Sequence, residues 1–270
     1  MHAIALLKQI LDWELPARKF RIDAETKCPA ADLGPKLLGP FEQNALEFAL
    51  QLKDTGVVEK VTALLAGSED GLEILRKALA VGADEAVLVE LAGSGPDDPS
   101  QTAVVLTRAI ERLGPPELVL AGRQAGDWDY GQVGYLVAEQ LGRPAVGLVW
   151  HAEQRTGHLH VWRNGVAGVE QLSVRPPAVL TVTNHDSLQL RMSSVLDLMA
   201  ANKKPIERWT AGDLGLTADD LAGARRLEFE EVWIPEVERV CEFVEGEDAA
   251  EAASALVGRL AELKLLGTLA

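Results

Sequence analysis

Cysteine is nearly absent from this chain. Its 270 residues hold only Cys28 and Cys241, far apart and without a CxxC neighbour, which argues against a disulfide framework or a thiolate metal site. Positive charge is also scarce. With 26 Lys and Arg against 41 Asp and Glu, the net charge of −15 excludes a protein built to displace counterions from a nucleic-acid backbone. No apolar run reaches the roughly 18 to 20 residues that span a bilayer. Met1-His2-Ala3-Ile4-Ala5-Leu6-Leu7-Lys8 has no basic stretch ahead of its apolar one, so it reads as a buried strand and the expected compartment is the cytoplasm. Neither GxGxxG nor a GxxxxGK phosphate loop occurs, which argues against ordinary dinucleotide dehydrogenases and P-loop enzymes.

What is present is an ordinary globular composition, 47% hydrophobic and 25% charged, sufficient for one large domain with or without an appendage. Short Val/Leu/Ile runs alternate with segments of helical period, the pattern of a mainly parallel sheet flanked by helices in an α/β fold. Strands are expected at 3–8, 60–66, 86–90, 117–121 and 177–183, with helices at 43–53, after Gly67-Ser68 with Ser68 as N-cap, at 102–113, and around Val137 and Leu141. Past Pro144 the helices drop out. The runs 145–150, 158–163 and 168–174 predict a small antiparallel section, with Asn164-Gly165 as its tight turn. Charge breaks near Pro205: residues 207–270 carry 15 acidic and 6 basic side chains, a net of −9. Residues 248–266 place Ala252, Leu256, Leu260 and Leu263 at helical spacing.

The passage Gly122-Arg123-Gln124-Ala125-Gly126-Asp127-Trp128-Asp129-Tyr130-Gly131-Gln132-Val133-Gly134 carries the most chemistry. A glycine-rich loop between a parallel strand and a helix N-terminus gathers backbone N–H groups that suit phosphate. Spacing alone leaves open a nucleotide site or a solvent-facing turn. Gly67-Ser68 occupies an equivalent place and reads as a helix cap or a second contribution to the same anion. Asp127 and Asp129 lack a third metal ligand at useful spacing, as do His158 and His160, and Cys28 has no identifiable base. Trp13 and Phe41 lie on connections where an aromatic either faces a planar cofactor or packs under a loop. Residues 187–201, apolar and Met-bearing before Lys203-Lys204, read as a docking surface or a core helix.

Together these residues resemble the beta subunit of an electron transfer flavoprotein, including the nitrogen-fixation-associated and electron-bifurcating branches. The resemblance runs over most of the chain. It rests on Ala5-Leu6-Leu7-Lys8-Gln9, on Gly39-Pro40-Phe41 with the helix from Asn44 to Leu50, on Arg76 to Asp84, on Gly122-Arg123-Gln124-Ala125 with Asp127, Asp129 and Gln132-Val133-Gly134, and on Pro177 to Val182. It implies an adenine-nucleotide alpha-hydrolase-like fold and an electron carrier subunit, not an enzyme. The implied partners are an alpha subunit holding most of a redox FAD, and a dehydrogenase. The implied ligand of this chain is AMP or, as in bifurcating members, a second FAD.

Residue by residue, the resemblance places nucleotide contacts on Leu6, Lys8, Gly39, Pro40, Phe41, Ala66, Gly67, Ser68, Gly122, Gln124, Asp127, Asp129, Gly131, Gln132, Val133 and Gly134, with Trp13 and Phe41 facing the flavin. Arg191, Val195 and Met199 fall on its partner-recognition segment. It divides the chain into a nucleotide-binding α/β domain (1–186), a partner-recognition segment (187–206) and an acidic arm contacting the alpha subunit (207–270). Gly39 stands where the family carries Asn, and Trp128 and Tyr130 stand where the bifurcating branch carries Gly and Thr. The competing class, a related nucleotide-binding regulator or ATP-using enzyme, would show Ser-Gly-Gly-x-Asp-Ser after the first strand, where this chain has Gln9-Ile10-Leu11-Asp12.

Overall fold

The computed structural model describes residues 1–30, 32–91, 98–235 and 241–266. In chain order the elements are β1 (His2–Leu7), β2 (Gln9–Leu11), β3 (Lys36–Leu38), α1 (Pro40–Asp54), β4 (Lys60–Gly67), α2 (Gly71–Val81), β5 (Glu85–Glu90), α3 (Pro99–Leu113), β6 (Leu118–Gly122) and α4 (Val133–Gln140). They continue with β7 (Ala145–Arg155), β8 (His158–Gly165), β9 (Gly168–Val174), β10 (Ala178–Val182), α5 (Val195–Ala201), β11 (Glu207–Thr210), α6 (Ala218–Ala224) and α7 (Ala249–Glu262). One compact unit covers Met1–Val232 and a second covers Trp233–Ala270. The first unit therefore runs past the charge break at residue 206, because Glu207–Thr210 pairs in parallel with β5 as an edge strand.

The main sheet has the order β11-β5-β4-β1-β6-β10-β7-β8-β9. Every pairing from β11 to β7 is parallel, and β7-β8-β9 is antiparallel. The fold is thus α/β with a small antiparallel section. Central strands are mostly apolar, with Thr62 and Thr181 as buried polar members, because helices cover both faces. Ala3, Ala5 and Leu7 pack with α1 and α2, while Ile4 and Leu6 pack with α3 and α4. The chemistry of the helix starts is local. Pro40 and Pro99 occupy first-turn positions, where the missing N–H costs no hydrogen bond.

Two local expectations give way to the structure. Ser68 is not the cap of α2: Asp70 holds that position without a side-chain cap bond, and Ser68 Oγ instead accepts from Gln9 Nε2 at 2.8 Å. Asn164-Gly165 is not a turn either. Both residues pair across to β9, Gly165 opposite Gly168, so Val166 and Ala167 form the loop. The sheet register, fixed by the buried side chains Leu159, Val161 and Val174, overrides the local Asn-Gly preference. Among the described residues, no helix is long and apolar enough to cross a membrane.

Candidate functional site

In the order β5-β4-β1-β6-β10, the chain winds from β1 through β4 to β5, then returns to the other side of β1 with β6. The strand order reverses between β1 and β6. In open parallel sheets, the crevice outside the carboxyl ends at this switch point is where ligands bind. The end of β1 supplies Lys8 and Gln9, the end of β4 supplies Ala66, Gly67 and Ser68, and the loop from β6 to α4 supplies Gly122 to Gly134.

Close approach of the backbone explains the glycines. A Cβ on Gly122 would stand 2.9 Å from the Phe41 Cβ and 3.1 Å from the Glu42 amide nitrogen, so the end of β6 lies directly against the start of α1. A Cβ on Gly134 would stand 2.8 Å from Thr181 Cγ2, which seats the first turn of α4 against β10. That first turn, at Val133 and Gly134 with Gln132 before it, has no side-chain cap, and the first N–H groups of a helix have no intrahelical partner.

Polar contacts join the three loops. Lys8 Nζ donates to both carboxylate oxygens of Asp127, at 2.8 and 2.9 Å. Gln124 Nε2 donates to Asp129 Oδ1 at 2.7 Å, and Asp127 Oδ1 accepts the Trp128 N–H. Both aspartates are thus engaged within the loop system. Among the described residues, no three His, Cys, Asp or Glu side chains cluster as a metal site.

The structure adds three residues to the site. Arg123 lays its guanidinium 4.5 Å above the Phe41 ring, donates from Nη1 to Thr183 Oγ1, and keeps a buried, unpartnered Nε. Gln9 leaves a buried, unpartnered Oε1 beside Ser68. Glu42, on the first turn of α1, is 6% exposed, and its Oε2 is unpartnered and folded back where a side chain on residue 39 would collide with it. Glycine at 39 makes room for that carboxyl. Burial pushes Glu42 up to about 8; its own N–H and Lys8 oppose this, and the Asp127 charge adds to it. The signal for Glu42 in the sequence was its place three residues after Gly39, which only the fold turns into burial.

Trp13, in the stretch after β2, is 57% exposed, and the Leu6 side chain, next to the end of β1, is buried in the sheet. Arg191 is fixed to α1: it donates to Glu47 at 2.9 and 3.0 Å and to Asp54 at 2.7 Å, and these carboxylates raise its pKa further. Of residues 187–201, Leu188 is buried in the core and Leu190 packs against it, but α5 itself does not form a core helix. Val195 is 72% exposed, and Leu196 and Met199 are also exposed, leaving only Ala201 of α5 buried.

The profile of the electron transfer flavoprotein domain matches residues 31–214. Over 267 residues, 98% of this chain and 100% of the relative, the sequence is 31% identical to the caffeyl-CoA reductase-Etf complex subunit CarD of Acetobacterium woodii. The chain belongs to the electron transfer flavoprotein beta-subunit family. It is 35% identical over 222 residues to the electron transfer flavoprotein subunit beta of Thermoanaerobacterium thermosaccharolyticum, covering 82% of this chain and 83% of that one. It is 31% identical over 223 residues to the protein FixA of Bradyrhizobium diazoefficiens, covering 80% and 75%. As an electron transfer flavoprotein beta subunit, it is an electron carrier component rather than an enzyme.

Proposed function

We propose that this chain binds an adenine nucleotide, AMP or a second FAD, in the crevice between β1 and β6, and pairs with an alpha subunit that holds most of a redox FAD. The heterodimer carries electrons between a dehydrogenase and an acceptor in the cytoplasm. The observation that supports the reading is the switch point itself, where the loops ending β1, β4 and β6 meet, the glycine-rich loop leads into α4, and Gln9 Oε1 and Glu42 Oε2 are buried without partners. Helix N–H groups suit a phosphate, and the unsatisfied Gln9 carbonyl and the Glu42 carboxyl, mostly protonated at neutral pH, suit the hydrogen-bonding groups of a base or ribose. The flavin supplies the electron chemistry when bound, and the protein binds and orients it. Phe41, under Arg123, and the exposed Trp13 are the aromatics offered to the flavin.

For the partners, the reading draws on two exposed apolar surfaces. Segment 187–206, tied to α1 through Arg191 and Glu47, presents Val195 and Met199 to a dehydrogenase. The arm contacting the alpha subunit starts from residue 207 and includes α7, none of whose side chains is buried. Co-production with an electron transfer flavoprotein alpha subunit tests the proposal: a yellow complex with flavin absorbance is expected, and nucleotide extracted from it is identified by mass as AMP or FAD. A colourless, ATP-hydrolysing monomer would refute it.

A further inference from the structure

Residues 225–232 follow α6 without helix or strand and touch three loops at the carboxyl edge of the sheet. Asp98, which is buried, binds the start of this segment: its Oδ2 accepts the N–H of Arg226 at 2.7 Å and of Leu227 at 2.8 Å, while Oδ1 caps α3 through Ser100 and Gln101. Lys27, between β2 and β3, donates from Nζ to the carbonyls of Phe229 and Glu230. At the second anchor the Phe229 ring meets Trp128 edge to face, with centroids 5.1 Å apart. Trp128 in turn stacks on Tyr130, with centroids 6.0 Å apart and planes within 4°.

Trp128 stands in the middle of the glycine-rich loop that carries the candidate phosphate site, next to Asp127 and its bond to Lys8. A glycine-rich loop is mobile by default, and a ligand held by its backbone leaves when the loop opens. Here opening has to separate Trp128 from Phe229, a side chain held from another part of the chain by Asp98 and Lys27. We propose that Phe229 is a positioning residue of the nucleotide site: acting through Trp128, it holds the 122–134 loop in its binding form and sets how slowly a bound adenine nucleotide leaves. This rests on the nucleotide reading above.

The test loads the full-length chain with tritiated AMP, or separately with FAD, and follows release into excess unlabelled nucleotide. Phe229→Ala is expected to release about three- to tenfold faster, the loss of one aromatic pair, and Phe229→Tyr to stay within about twofold of the parent. Lys27→Met, which frees the segment without touching either ring, moves release in the same direction and serves if Phe229→Ala misfolds. In a Trp128→Ala background, Phe229→Ala adds no further acceleration. Unchanged release in both Phe229→Ala and Lys27→Met overturns the proposal and leaves the nucleotide reading standing. A parent chain that takes up neither nucleotide overturns both.

Discussion

Lys8 and Asp127, 119 positions apart in sequence, meet at 2.8 Å across the crevice between β1 and β6. Their ion pair joins the end of the first strand to the loop that precedes α4. Both side chains keep some exposure, so the pair itself contributes under about 1 kcal/mol to stability. Its expected role is toward an anionic ligand. Lys8→Met is predicted to weaken AMP binding about tenfold and to flatten its salt dependence, while the denaturation midpoint barely moves; titration calorimetry at two ionic strengths checks this.

Gly122→Ala tests the closeness of the two loops. The new methyl would meet the Phe41 Cβ and carbonyl carbon and the Glu42 amide nitrogen at 2.9 to 3.1 Å, and two of these are backbone atoms that cannot rotate away. A loss of about 2 kcal/mol in urea denaturation is expected, together with weakened nucleotide uptake.

Glu42 predicts a pH dependence. Burial raises its pKa from 4.5 to about 8, so the stability it contributes is full below about pH 4.5 and is lost as pH rises through about 8. Glu42→Gln removes this dependence and is expected to gain on the parent between pH 5 and 9 by on the order of 2 kcal/mol. The full shift would give more, but the first-turn amides of α1 favour the ionised form. Urea denaturation of both chains at the two pH values decides it.

Asp98 has the opposite sign. Burial would raise its pKa, but the four backbone N–H groups it accepts, from Arg226, Gln101, Leu227 and Ser100, outweigh burial and lower it. The stability it contributes is therefore present above its ordinary value of 3.8 and is lost as pH falls through the lowered one. Asp98→Ala is expected to cost about 3 kcal/mol at pH 7 and to speed hydrogen exchange at the Arg226 and Leu227 amides.

The second compact unit bears on assembly. Leu256, Val257 and Leu263 of the C-terminal stretch are exposed. Deleting residues 245–270 is expected to reduce co-purification with the alpha-type subunit while leaving thermal melting of the α/β unit unchanged. Unaltered co-purification would remove the arm from the interface.

Much of the sheet was legible because buried parallel strands are written as continuous apolar runs, as in Ile4 to Leu7 and Ala86 to Val89. The three loops of the crevice were legible for a related reason: glycines cluster where strand ends meet helix starts. Short polar cues were misleading. Ser68 and Asn164-Gly165 carry local preferences of about 1 kcal/mol or less, which cross-strand pairing and the Gln9 contact override. The edge strand β11 was missed because Glu207-Arg208-Trp209-Thr210 has only one buried side chain.

The sequence by itself determined the α/β class, the helices and strands that frame the crevice, and the family. These depend on periodicity and on motifs a few residues long. Only the tertiary structure decided that Glu42 is buried over Gly39, that Arg123 lies over Phe41, and that Phe229 reaches Trp128. Burial, and the aromatic contact between residues a hundred positions apart, come from the packing of loops that the chain brings together only when the sheet closes.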